Sequence, residues 1–116
     1  CNGAFGMEVI WTDMATQQLG NIVKYVESEF GRSIAVKTLD KINSKIIRLS
    51  HFPESGIFDR TMSDDKYTMR HIILDPNVIY YLLTDNVMII ITIAHIKQSP
   101  STVRNMIKNS LEQYMK

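Results

Sequence analysis

The chain has 116 residues, 45% of them hydrophobic and 22% charged, with a formal net charge of +1. That length fits one domain able to bury its own core, and that balance excludes a strongly basic nucleic-acid binder or an acidic tail. The single cysteine, Cys1, excludes an internal disulfide and suits a cytoplasmic location.

Residues 1–6, CNGAFG, precede Met7 and read as a leader or expression remnant, so the domain is taken as 7–116. Met7 to Trp11 is a short apolar run and reads as a first strand. Thr12 or Asp13 can cap a helix, because a side-chain oxygen satisfies free N–H groups of the first turn. Ala15, Leu19, Ile22, Val23, Val26 and Phe30 then recur at gaps of three and four, one stripe of an amphipathic helix. Gly31 ends it, as a residue free to take positive φ. Ser33 is expected to cap a second helix with the stripe Val36 or Leu39, Ile42, Ile46 and Leu49. Lys37, Asp40, Lys41, Lys45 and Arg48 surround that stripe. So short a connection folds the two helices back as an antiparallel pair. Phe52-Pro53 stops the second helix. From His51 to Lys66 the chain is polar and broken and reads as a loop, with Ile57 and Phe58 tucked under.

Tyr67 to Lys97 then reads as three strands. Val, Ile, Tyr and Thr crowd the runs, and Asp75-Pro76-Asn77 and Asp85-Asn86 supply the turns. Turns this short join antiparallel neighbours. Simple alternation sends Val87, Ile89, Ile91, Ile93 and His95 to one face and Met88, Ile90, Thr92, Ala94 and Ile96 to the other. Both faces are apolar enough to need cover. Ser99-Pro100-Ser101 opens a last helix carrying Val103, Met106, Ile107, Leu111 and Tyr114 at helical spacing. The result is an α+β domain: an N-terminal strand, an antiparallel helical hairpin on a mainly antiparallel sheet ending in a three-stranded meander, and a C-terminal helix. The longest apolar run, Val87 to Ile91, is too short to cross a bilayer, so no membrane partner is expected. The His spacing has no metal-ligand pattern, and no Gly-rich phosphate loop or Ser-centred nucleophile motif appears. No cofactor is expected.

Three segments carry a resemblance: VIWTDMATQQLGNIVKYV, IIRLSHFPESG, and MRHIILDPNVIYYLLTDNVMIIITIAHIKQSP. With these the chain resembles the RelE/ParE superfamily, the toxin halves of bacterial type II toxin–antitoxin pairs, also called plasmid-stabilisation proteins. The resemblance spans roughly Glu8 to Pro100. It implies a small toxin inhibited by a cognate antitoxin that wraps its surface. RelE-like members cleave messenger RNA on the ribosome without a metal; ParE-like members poison DNA gyrase. A degenerate, non-toxic relative is a third alternative.

For cleavage, a base must activate a 2′-hydroxyl, cations must stabilise the phosphate, and an acid must protonate the leaving oxygen. The resemblance places Arg70, His95 and Lys97 in those roles, converging at the sheet if the last strand continues. Each also has a plainer use. His95 suits a hydrogen bond to neighbouring backbone at the sheet edge, and Arg70 suits an ion pair with Asp75, with Asp85 or with an acidic residue of the antitoxin. One of Tyr80 and Tyr81 is expected in the core and the other toward a partner. Ser99 and Pro100 stand where the nuclease branch carries an aromatic residue, and basic residues on this surface are few. The ParE-like reading is therefore preferred. Neither the target nor the oligomeric state is legible.

Overall fold

A computed structural model describes residues 6–116, so the reading of residues 1–6 as a leader or remnant falls outside the described residues except at Gly6. β1 (Glu8–Trp11) leads into α1 (Asp13–Phe30) and α2 (Arg32–His51). A one-turn 3-10 helix (Pro53–Ser55) and β2 (Ile57–Phe58) follow. The meander is β3 (Arg70–Leu74), β4 (Asn77–Leu83) and β5 (Val87–His95), and α3 (Pro100–Tyr114) closes the chain.

The meander strands are adjacent and antiparallel, as their turns dictate. β1 pairs with β5 in parallel and β2 with β3 antiparallel, giving one five-stranded sheet in the order β1-β5-β4-β3-β2. β1 and β2 therefore lie at opposite edges. The helical hairpin between them has to cross the whole face of the sheet.

That face buries Ile72, Ile79, Tyr81, Met88, Ile90 and Ile93 against Ala15, Ile42, Ile46 and Leu49 of the hairpin. The opposite face buries Val78, Tyr80, Leu82, Ile89, Ile91 and Ala94 against Val103 and Ile107 of α3, with Met62 and Met69. Both apolar faces are thus covered within the chain. Tyr80 and Tyr81 are both core residues, on opposite faces, so neither is left for a partner.

Several expectations change for local reasons. The hairpin turn is shorter than expected: Gly31, at φ 93°, is both the last cap of α1 and the first cap of α2, and Ser33 falls inside the first turn with no capping bond. Only a residue without Cβ adopts that φ cheaply. Of Val36 and Leu39, it is half-buried Leu39 that continues the α2 stripe, after Ala35; Val36 is 50% exposed, and Phe30 at the tip is 63% exposed. The loop after α2 contains the 3-10 turn and the edge strand β2. Ile57 and Phe58 of β2 are 56% and 50% exposed, not tucked under.

β5 does not alternate simply. Tyr80 pairs with Thr92 but Tyr81 with Ile90, so Ile91 is an extra residue in a bulge. One added residue exchanges the faces. Ile89 and Ile91 point to α3, but Ile93 points to the hairpin.

The bulge lies where β5 outruns β1, and side chains take over the ladder there. The Ile91 carbonyl accepts Thr12 Oγ1 at 2.9 Å and Ser110 Oγ at 2.7 Å. Thr12 Oγ1 also accepts the Ala15 N–H that caps α1. Gln18 Oε1 accepts the Ile93 N–H at 2.7 Å and Thr92 Oγ1 at 2.9 Å. Thr12 and Ser110 are almost fully buried, so an orphaned partner finds no water. Thr12→Val should cost about 2–3 kcal/mol in denaturant unfolding, combining a lost cap with a lost buried bond. Ser110→Ala, which leaves Thr12 on the same carbonyl, should cost about 1 kcal/mol.

Candidate functional site

The sequence motif FPESG forms a structural clamp at the β2 edge. Proline stops α2 and shapes the 3-10 turn, and the turn is then gripped from the sheet. Tyr81, fully buried on β4, donates its hydroxyl to the Pro53 carbonyl at 2.8 Å and accepts the Gly56 N–H at 3.0 Å. A Cβ on Gly56 would run into that same phenol oxygen, which explains the glycine. Arg70, directly across the ladder from Tyr81, donates Nη1 to the carbonyls of Glu54 at 3.2 Å and Gly56 at 3.0 Å. The guanidinium is therefore engaged by backbone carbonyls; Asp75 and Asp85 are not its partners.

His95 and Lys97 belong to a second piece of turn chemistry, at the far end of β5. The strand stops at His95, and Lys97 lies in the turn, so the two do not share a strand face. The Lys97 N–H donates to His95 Nδ1 at 3.1 Å, which leaves Nε2 as the protonated nitrogen of the neutral ring. Gln98 Oε1 accepts the His95 N–H at 2.8 Å, closing the free edge of β5 one step beyond Gln18. Ser99 then caps α3 through the Thr102 N–H, with Pro100 in its first turn.

Arg70 and His95 share the hairpin side of the sheet but not a site. Leu74 is level with Asn77, and Asn77 with His95. Four residues of strand and two strand spacings separate the pair, roughly 16 Å between backbones. The structure does not bring Arg70, His95 and Lys97 together.

A histidine–aspartate pair lies on the opposite face of the sheet. His71 Nδ1 sits 2.9 Å from Asp59 Oδ2, with the side chains 18% and 13% exposed. The Tyr80 ring is tilted against the imidazole, centroids 5.6 Å apart. Asp59 also accepts the Met62 N–H, so the pair ties the loop to the sheet. No spacing rule links residues this far apart in the chain; only the pairing of β2 with β3 does.

The hairpin overhangs the end of the sheet, and beneath it lies a groove of about 740 Å³. Ile22, Tyr25 and Val26 of α1, Ile42 of α2, and Leu74 and Pro76 supply its apolar walls, with Lys41, Asp75 and His95 at its margins.

Residues 9–100 match the family described as "ParE toxin of type II toxin-antitoxin system, parDE". The chain belongs to that family of toxins. No curated protein matches it in sequence. A solved structure described as "Chromosomal ParDE TA system from P. aeruginosa" is similar, with a TM-score of 0.64 at 19% identity, covering 79% of this chain and 98% of that one. That likeness concerns the fold. The family match ends at Pro100, where α3 begins. Among the described residues no helix is long and apolar enough to cross a membrane.

The clamp gives two measurable outcomes. Arg70→Met should lower stability by about 1–2 kcal/mol and Gly56→Ala by about 1–3 kcal/mol, whereas His95→Ala, at an exposed turn, should change it little. Alkali should also unfold the chain through its tyrosines. Burial raises the Tyr67, Tyr80 and Tyr81 phenols above the usual 10.0, helped by Asp64 at Tyr67 and Asp59 at Tyr80. At Tyr81 the Gly56 N–H and Arg70 pull the other way without reversing the rise. The unfolded chain loses these protons first. Their stabilisation is therefore complete below about pH 10 and is lost as pH rises through the higher folded values. Tyrosinate absorbance should rise together with loss of helix by circular dichroism.

Proposed function

We propose that this ParE-family toxin acts by binding and poisoning a host target, DNA gyrase first among candidates, and that a cognate antitoxin neutralises it. One observation carries the preference for a binding poison over a nuclease. Arg70 Nη1 is held by the Glu54 and Gly56 carbonyls, and His95 Nδ1 by a turn N–H. Acid–base cleavage needs its groups within reach of one phosphate, and these two stand at opposite ends of the sheet.

Induction should arrest growth, and the purified toxin should inhibit gyrase supercoiling or trap cleaved DNA. Intact gyrase activity at doses that arrest growth would remove gyrase as the target. His95→Ala should still arrest growth, because its role is confined to the turn.

A second reading, messenger RNA cleavage, draws support from His71. Asp59 orients its ring, leaving Nε2 for a proton transfer, with Tyr80 alongside. Growth arrest by His71→Gln with unchanged messenger ends would exclude it; arrest lost in a folded variant, together with new messenger ends in the wild type, would favour it over the gyrase reading.

A further inference from the structure

α3 does not cover its face of the sheet to the end. The helix packs over β5, and the loop of residues 64–68 stands on the β3 side. Between helix and loop a groove of about 650 Å³ stays open. Leu82 and Ile89, paired across the ladder and buried, form its floor. Leu83, Val87 and Leu111, all half-buried, line its sides. It shares no residue with the groove under the hairpin and lies on the other face of the sheet.

Two kinds of group give this groove a preference of sign. Tyr67 comes from the loop and Tyr114 from the last turn of α3, so the two walls each bring a phenol ring. Asp64 and Asp65 stand at the loop rim, both exposed, and Lys66 is the one cation among the described lining residues. Among the described residues neither carboxylate is in an ion pair; the pairs there are Arg32–Glu27 and His71–Asp59. Asp64 Oδ1 accepts the Lys66 N–H at 2.7 Å and the Tyr67 N–H at 3.1 Å. Those bonds fix the carboxylate next to Tyr67 and leave its Oδ2 to face outward. Burial first, and then the Asp64 charge, raise the Tyr67 phenol, in keeping with that closeness.

The face of an aromatic ring is the negative part of its quadrupole, so rings and carboxylates attract the same sign. We propose that this groove binds a small organic cation with an apolar tail. Its ammonium sits at Asp64, Asp65 and the two phenol rings, and its hydrocarbon lies over Leu83, Val87 and Leu111. The proposal does not rest on the toxin reading. Other ligands fit less well. An anion meets two carboxylates against one lysine. A neutral apolar molecule fills the floor and leaves both carboxylates unused. The volume is that of a small-ligand site, too small for the surface of a folded partner.

Three probes share one tail: hexyltrimethylammonium, 1-hexanol and hexanesulfonate. Each is titrated into the full chain labelled with nitrogen-15, and amide shifts are followed. The ammonium should move amides of residues 64–68, 82–87 and 111–115 and bind on the order of tenfold tighter than hexanol. The sulfonate should bind more weakly than either. Asp65→Asn and Tyr114→Leu, both at exposed positions, should each narrow the ratio of ammonium to hexanol by about threefold and leave hexanol binding unchanged. If Tyr114→Leu shifts amides throughout the chain, Asp65→Asn alone is read. Equal binding of ammonium and hexanol overturns the proposal, and so does a ratio unaltered in the folded variants. Sulfonate binding as tight as the ammonium, or ammonium shifts centred elsewhere on the chain, overturns it as well.

Discussion

The fold depends on one constraint: the strands before and after the helical hairpin sit at opposite edges of a single sheet. The hairpin must span the sheet, and it must be held at both ends of its crossing. The chain does this with side chains bonded to backbone. At the β1 edge, Thr12 and Ser110 share the Ile91 carbonyl, and Gln18 takes the next free N–H. At the β2 edge, Tyr81 and Arg70 reach from the sheet to the turn that ends α2. Apolar burial supplies most of the stabilisation, but it is non-directional. The polar clamps fix which way the hairpin lies.

That division explains what the chain reveals before folding. Element types follow from periodicity, so both long helices, the three meander strands and α3 were legible. The cap at Thr12 and the stop at Phe52-Pro53 follow from local chemistry. What escaped is whatever depends on pairing at a distance. β2 is too short to show a period. The bulge at Ile91 is invisible in a run of Ile and Val, because every face assignment buries an apolar residue. Gly31 serving both helices at once is a matter of turn geometry that the serine two residues later obscured.

The candidate site shows the same asymmetry. Arg70, His95 and Lys97 stand out because charged residues in apolar strands are conspicuous. Conspicuousness marks them as polar groups with a bond to make, and the bonds of Arg70 and of the His95 ring are made to backbone within the chain. The motifs that carry the family resemblance are, on this structure, largely turn and clamp motifs: FPESG grips Tyr81, and HIKQSP closes β5 and starts α3. Such motifs identify a ParE-family fold well and its target poorly.

Amide hydrogen exchange at Gly56 tests the clamp account most directly, because its N–H is held by the Tyr81 hydroxyl and by no strand ladder. Gly56 should exchange as slowly as core amides of β4 in the wild type and at loop rates in Tyr81→Phe, while the β4 core stays protected. Gly56 exchanging at loop rates in the wild type would contradict it.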